Sequence, residues 1–577
     1  MKKKLLPALI VTGLIILVVI IMGITALINK YTPTKKTEDL KEYFNISSDD
    51  EAALIVDNEL SDYKAKIIDK KIYVDYKFVH DSLNSRFYWD ANENVLLYTT
   101  ASDIISAAAD SNSYSVTKQT NDFGYPIVKA TSDSALIALD YVKQYSNITF
   151  KSYDDPARIV ITSKWDEIDS ATVSNSTQVR VKGGIKSPIL KEVKKDDTIT
   201  ILDSGDKWDK VATEDGVIGY IKSKALSESK KTKLTNPDYE EETFTHIKKD
   251  KDICLAWNQV TSQSANSKVP QVISSTKGIN VMSPTWFYLN DNNGNLADIA
   301  SKDYVSYCHS QGIEVWGLFS NLENTDVDAA YVLTHTSTRT TLINQIMSAA
   351  FNYELDGVNI DFENITEAAY GDSYIEFIRE LSIKCHNNGI SLSVDVTVPA
   401  SFNKFFNRSD MANFADYIVI MGYDEHYKGS DAGSVSSIPW VTEGVESTLK
   451  EVPADQIILG MPFYTRIWEL TPKEDDDAVT DTEDQSKYTV ASQVYSMDAA
   501  AAQLATNNAT AALDEESGQN YAEWSASNKL YKVWLEDSTS LEKRLKLVDD
   551  NKLAGAAFWK LGFENSSVWD TVIKYLD

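Results

Sequence analysis

Apolar positions change their spacing along this chain, and each change predicts a different kind of structure. From Leu5 to Ile28 the run carries no charge and, Gly, Thr and Pro aside, is apolar on every face. At about 1.5 Å per residue it is long enough to cross a hydrocarbon core as a tilted helix. A signal peptide has a shorter apolar region and small residues before its cleavage point, and Gly23-Ile24-Thr25 fits that poorly. Residues 1–28 therefore read as a cytoplasmic tip and an uncleaved transmembrane anchor. Lys2, Lys3 and Lys4 balance Lys30, Lys35 and Lys36 across the run, and the free amino group tips the count towards an N-terminus inside. The expected location is the cell membrane, single-pass, with 29–577 extracytoplasmic.

Residues 29–50 are polar and suit a linker. Between 51 and 165 short apolar alternations take over, in an order that occurs twice. Lys71–Val74 leads into an apolar-periodic stretch around Phe78, Val79 and Leu83, then the strands Arg86–Asp90 and Val95–Thr99. Tyr125–Val128 leads in the same way into Leu136–Tyr145, then Ile148–Phe150 and Arg158–Thr162. Residues 172–226 hold further short strands, at Val179–Val181, Thr198–Leu202, Trp208–Val211 and Gly219–Ile221, with Gly- and Asp-containing turns between them. Trp208 and Tyr220 read equally well as an aromatic contact surface or as small-barrel core. Residues 227–244 are a linker by composition.

From residue 245 to 577 apolar strands alternate with helical stretches, the pattern of a parallel α/β arrangement. Eight strands are predicted: Ile253–Trp257, Gly278–Met282, Glu314–Ser320, Gly357–Glu363, Ser391–Val398, Tyr417–Tyr423, Ile457–Pro462 and Gly555–Trp559. Most carry polar or aromatic residues at or past the C-terminal end, and the first three run towards Asn258, Trp286 and Asn321. In a (β/α)8 barrel that end holds the active site. A long insert at about 466–552 contains an acidic run, Glu474–Asp477, and a hairpin formed by Tyr521–Trp524 and Leu530–Trp534.

Within this part the stretch Leu355–Asn364, LDGVNIDFEN, carries the chemistry. Strand alternation puts Gly357, Asn359, Asp361 and Glu363 on one face and Val358, Ile360 and Phe362 on the other. The apolar set suits a helix-covered surface, so the polar set points inward. Burying an unpaired carboxylate costs several kcal/mol or more, which an open mouth avoids. Two inward carboxylates two residues apart therefore look like a site. A solvent-facing strand with one polar face is the plainer alternative. A hard-cation site is a third, disfavoured because no His and no calcium-loop spacing adjoin the run.

Composition narrows the partners. An apolar share of 43% with 24% charged residues is ordinary for folded domains. The net charge of −29 argues against nucleic acid and implies repulsion from anionic polymers. The three cysteines, Cys254, Cys308 and Cys385, sit in apolar or helical contexts and read as buried thiols rather than a disulfide framework or zinc site.

The run Asp356, Asn359, Asp361, Glu363 resembles the DxxDxDxE signature of glycoside hydrolase family 18, the chitinase-like enzymes, with Asn359 in the second Asp position. The resemblance covers roughly residues 245–577 and implies a TIM barrel with a small α+β insertion and no metal or cofactor. Such enzymes use the substrate's own N-acetyl group as nucleophile. By resemblance, Glu363 is the general acid, Asp361 binds the acetamide N–H, and Tyr423 donates to the acetamide carbonyl. Met421-Gly422-Tyr423-Asp424 matches the family's M-x-Y-D pattern, so Asp424 and Met421 would line the floor, and Trp559 would lie under the sugar ring. Asn359, Trp286 and Asn321 are further candidates for substrate contact. Asp356 suits a structural turn contact, and Gly357 is assigned to structure too. Asp361 and Glu363 would raise each other's proton affinity and keep Glu363 protonated near neutral pH. Because the amide of Asn359 cannot ionise, Asp361 is expected to keep its charge.

Upstream, the repeated region resembles a copper amine oxidase N-terminal-like domain, although His80 is its only histidine and nothing there suggests copper. Residues 172–226 resemble a bacterial SH3 domain, a module that binds wall peptide or glycan. Together these imply a membrane-anchored hydrolase of β-linked N-acetylglucosamine polymers, peptidoglycan-type glycan before chitin. The alternatives are a chitinase-like lectin without turnover, which would normally have lost the acid, and a surface scaffold worked by the N-terminal domains.

Overall fold

The computed structural model describes residues 2–363, 365, 368–473 and 484–576. The acidic run Glu474–Asp477 and Asn364 of the central motif lie outside the described residues. The chain forms two compact units: Met1–Trp89, Ala107–Tyr114 and Asn121–Glu241 make one, and Asp90–Ser106, Ser115–Thr120 and Glu242–Asp577 the other.

In the first unit a helix spans Lys2–Tyr31. Its segment Pro7–Tyr31 has a mean hydropathy of 2.9 and none of it is buried, so it is long and apolar enough to cross a membrane. Along the chain the order strand, helix, strand, strand occurs twice, at Lys71–Asp75, 76–83, Phe87–Asp90 and Val95–Thr99, the last of these counted with the second unit, and at Ala135–Ala138, Leu139–Gln144, Thr149–Tyr153 and Arg158–Thr162. The second copy thus starts at Ala135, not Tyr125. Residues 135–138 pair antiparallel on both sides, Ile137 with Val74 and with Val128, and that double pairing overrides the helical periodicity expected from Leu136 onward.

The next sheet places its strands in the order Ile189–Val193, Thr177–Arg180, Ile218–Lys222, Trp208–Thr213, Thr198–Asp203, Glu167–Thr172 and Lys230–Lys233. Its last member falls in the stretch expected to be linker. The 29–50 linker is likewise part of the fold. Leu40–Tyr43 is a helical turn, Phe44 is fully buried beside Val179, Val211 and Ile221, and the Tyr43 hydroxyl donates to the Ile218 carbonyl at 2.6 Å. Trp208 and Tyr220 are half-buried.

The second unit contains a closed parallel barrel. We number its strands β1 Ile253–Asn258, β2 Val281–Leu289, β3 Glu314–Ser320, β4 Gly357–Asp361, β5 Ser391–Thr397, β6 Tyr417–Met421, β7 Ile457–Pro462 and β8 Gly555–Trp559. Each pairs with its sequence neighbours, and β8 pairs with β1 to close the ring. Alternation divides the core in two. Val358, Ile360 and Phe362 join the shell between strands and helices, while Trp257, Trp316, Leu318, Tyr417 and Val419 fill the interior. Trp316 stacks on Tyr417 with ring centroids 5.6 Å apart. Gly357 makes room for it, because a Cβ there would stand 2.5 Å from Trp316 Cδ1.

Between β7 and β8 the insert is a five-stranded sheet in the order Tyr488–Ser496, Tyr464–Pro472, Lys529–Leu535, Gln519–Ala526 and Ala512–Asp514, with the helix Met497–Thr506. The hairpin expected from the sequence pairs Tyr521 with Trp534. The insert ends near Leu535, not 552, because Ser538–Asn551 is a barrel helix whose Leu541, Leu545 and Val548 pack into the shell of the barrel.

Gly357→Ala forces a methyl group into the Trp316 ring, and overpacking of this kind costs about 1–3 kcal/mol. Urea unfolding followed by tryptophan fluorescence should show an earlier midpoint, and an unchanged one would contradict the packing described.

Candidate active site

At the C-terminal end of the barrel, four strands deliver polar and aromatic side chains to one cleft of about 560 Å³. β4 supplies Asp361 and, two residues on, Glu363. β5 supplies Asp395, the segment after β6 supplies Tyr423 and Asp424, and β8 ends in Trp559. Met421 also lines it, and the exposed rings of Phe402 and Tyr427 border it.

The floor is built from hydrogen bonds. Asn359 is fully buried inside the barrel, where its Oδ1 accepts from Trp257 Nε1 (2.9 Å) and Ser283 Oγ (3.0 Å). Its amide nitrogen donates to Ser393 Oγ (3.0 Å) and Asp395 Oδ1 (2.7 Å). Asn359 is therefore beneath the cleft and does not line it, contrary to its assignment to substrate contact. Asn321, past the end of β3, accepts the backbone N–H of Glu363 at 3.0 Å and so fixes the chain where the strand stops. Asp424 has a positive φ of 61° and accepts from the Tyr464 hydroxyl of the insert, with Arg466 Nη2 at 3.8 Å.

Trp286 does not reach the cleft. Strand β2 continues to Leu289, so Trp286 lies mid-strand on the outward face, fully buried, with its indole N–H on Asn266 Oδ1 at 2.8 Å and its ring edge-on to Tyr304. Asp356 is at the opposite end of β4, where its Oδ2 accepts from the Val315 N–H and bonds His309 Nε2, both at 2.8 Å. All three cysteines are buried. Among the described residues no group of three or more His, Cys, Asp or Glu side chains is arranged to hold a metal ion.

Burial and like charge decide the protonation states. Asp361 is held well above the ordinary carboxylate range, first by desolvation and then by Asp395, Glu363 and Glu323. This overturns the expectation that it keeps its charge. The carboxylate missing at position 359 is present on the adjacent strand, as Asp395. Asp395 is itself pushed well up by burial, opposed by the hydrogen bond from Asn359. Glu363 is raised as expected, but by the protein packed around it, Asp424 and Glu323 rather than by Asp361. Burial likewise raises Tyr423, which keeps its phenolic proton available. Sequence reading missed Asp395 and Glu323. Asp395 was readable in SLSVDVT, where Ser393, Asp395 and Thr397 alternate with apolar residues; Glu323 lies beyond β3, where no periodicity marks it.

Carboxyl, phenol and indole groups thus converge at the mouth of a barrel, and comparison with known proteins gives the class of the domain. Residues 319–564 match the model of Glycosyl hydrolases family 18, so the chain carries a domain of that family and the domain is a glycosidase. The uncharacterized glycosylase YvbX of Bacillus subtilis is 24% identical over 301 residues, 49% of this chain and 81% of its own. The cortical fragment-lytic enzyme of Bacillus subtilis is 25% identical over 287 residues, 48% of this chain and 63% of its own. The fold is shared with the C-terminal domain of a putative chitinase from Desulfitobacterium hafniense (TM-score 0.50, 18% identity, 57% of this chain and all of that one). It is shared too with the Bacillus cereus spore cortex-lytic enzyme SleL (TM-score 0.50, 18% identity, 56% of this chain and 74% of that one).

The raised Asp361 carboxyl predicts a stability effect. Its folded form binds its proton more tightly than the unfolded chain, so stability falls as pH rises above about 3.9, by about 1.4 kcal/mol for each unit of upward displacement until the folded group ionises. Asp361→Asn removes that loss. Thermal unfolding should show the variant more stable than wild type at pH 7 and the two alike near pH 3, whereas a variant less stable at pH 7 would contradict the assignment.

Proposed function

We propose that this chain is a membrane-anchored, outward-facing glycoside hydrolase that cleaves β-linked N-acetylglucosamine polymers by substrate-assisted, retaining hydrolysis. Peptidoglycan-type glycan is the preferred substrate and chitin oligomers the second. One observation carries the reading: Glu363, Asp361, Tyr423, Asp424 and Trp559 line one cleft at the barrel end where such chemistry is expected. The names of relatives, a cortical fragment-lytic enzyme among them, favour wall glycan over chitin.

Glu363, whose proton is held more tightly because of burial, Asp424 and Glu323, gives it to the departing glycosidic oxygen. The acetamide oxygen attacks the anomeric carbon from the opposite face, and Asp361 accepts the acetamide N–H as positive charge develops there. Tyr423 donates to the acetamide carbonyl and orients it. Glu363, now a carboxylate, takes a proton from the water that opens the intermediate. Trp559 gives the sugar's apolar face a flat surface, and Asp424, held by Tyr464, keeps the floor rigid. The helix Lys2–Tyr31 supplies the anchor, and the small β-rich domain at 172–226 raises local concentration at wall glycan or peptide.

Glu363→Gln removes proton donation and preserves size. Turnover on N-acetylglucosamine oligomers should fall by about 10²–10⁴-fold with little change in oligosaccharide affinity; near-normal turnover would return the lectin reading to first place. Detergent-solubilised enzyme incubated with purified sacculi and with chitin oligomers, followed by product mass analysis, should release more from sacculi, and release from chitin alone would overturn the substrate preference. For the anchor, the mature protein should retain Leu5–Ile28 and partition with membranes; an N-terminus downstream of residue 28 would refute it.

A further inference from the structure

The amide of Asn359 has only one orientation open to it. An indole N–H can only donate, and that of Trp257 points at Asn359 Oδ1 from 2.9 Å. The amide nitrogen must then face the other way, where it donates to Asp395 Oδ1 at 2.7 Å. A second carboxylate at position 359 would face Asp395 and need a proton between them, whereas the amide stabilises Asp395 as the anion. Asp361 is its neighbour on the adjacent strand. The parallel register sets Asn359 against Ser393 and Ile360 against Val394, and the next step along both strands reaches Asp361 and Asp395. Asp361 Oδ1 is buried and receives no hydrogen bond, an arrangement that suits a neutral carboxyl and penalises an anion.

We propose that Asp361 and Asp395 hold a single proton between them, with Asn359 fixing the charge on Asp395 until the substrate's acetamide N–H draws it to Asp361. The step moves one proton from the Asp361 carboxyl to the Asp395 carboxylate. The pair keeps a charge of −1, and no bond to the substrate forms or breaks. This rests on the acetamide-assisted reading of the cleft and adds to it the residue that takes the proton. Asp395 acts through Asp361 and is a positioning residue. The pair is faced by Glu363 and Tyr423 at the cleft, by Glu323 from beyond β3 and by Tyr374 from the helix Ala368–His386. None of these is a cation, so nothing nearby neutralises a second charge.

The test is to move the carboxylate. In full-length enzyme assayed on N-acetylglucosamine oligomers, Asp395→Asn leaves the charge to Asp361 alone, whose Oδ1 receives no hydrogen bond. The acidic limb of kcat should therefore rise by about one pH unit, a loss of about tenfold on the acid side, with KM little changed. The double variant Asn359→Asp/Asp395→Asn returns a carboxylate to the barrel floor, under the Trp257 and Ser283 donors, and should bring the limb back to within about half a unit. A wild-type pH profile in Asp395→Asn, or a folded double variant whose profile matches Asp395→Asn, overturns the proposal. Infrared spectroscopy decides the case without turnover. At pH 7 the difference spectrum between folded Glu363→Gln and folded Glu363→Gln/Asp361→Asn should contain one protonated carboxyl band, the contribution of Glu380, raised to about 7, cancelling between them; a difference spectrum without that band overturns the proposal. Absence of hydrolysis by wild type would instead sink the functional reading and leave the infrared result to stand by itself.

Discussion

Everything at the mouth of this barrel depends on one buried amide. The interior of a closed parallel barrel is hydrocarbon, and polar groups survive there only when each hydrogen-bonding position is filled. Asn359 meets that condition with four partners drawn from β1, β2 and β5. Below it lie Trp316, Leu318 and Tyr417, packed as an ordinary core. Above it the carboxylates begin. The amide is thus the boundary between a layer that stabilises the fold and a layer that is held at a cost.

That cost is electrostatic. Asp361, Glu363 and Asp395 share one partly enclosed cleft with Asp424; burial raises each of the three, and like charge adds to it, from Asp395 and Glu363 on Asp361, from Glu363 on Asp395 and from Asp424 on Glu363. Proteins avoid such clusters unless the resulting protonation states are used. Here two acids with different surroundings sit two residues apart, one at the end of β4 and one just past it. Glu363 stands at the open side and is raised by its surroundings together with Asp424 and Glu323. Asp361 lies deeper and is raised further by burial and by the carboxylates around it. The insert contributes rigidity, since Tyr464 on its first strand holds Asp424 in a left-handed backbone conformation that an unsupported aspartate would leave readily.

Much of this was legible in the chain. Strands buried on both faces read as unbroken apolar runs, so all eight barrel strands were located, and the period of two in GVNIDFE assigned its faces correctly. What failed had local causes. The second strand was read as ending at Met282, which made Trp286 look like a residue of the mouth, yet β2 runs on through Pro284 to Leu289. Asp395 was passed over because Asn359 had been treated alone, and a hydrogen-bonded pair on adjacent strands, 36 positions apart, leaves no local pattern. The 29–50 stretch looked like a tether because the single buried ring of Phe44 carries no periodicity. The family resemblance supplied the candidate acid; burial and the placement of Asp395 explain why Asp361 beside it holds its proton more tightly.

The central claim is that the acetamide of the substrate, not a water molecule, attacks the anomeric carbon while Asp361 supports the charge that forms. Two displacements at one carbon retain configuration, and one displacement inverts it. Proton NMR of the anomeric region during the first turnovers on a chitin oligosaccharide reads the outcome before mutarotation blurs it. The account predicts that the new reducing end appears as the β anomer, and first appearance of the α anomer would contradict it.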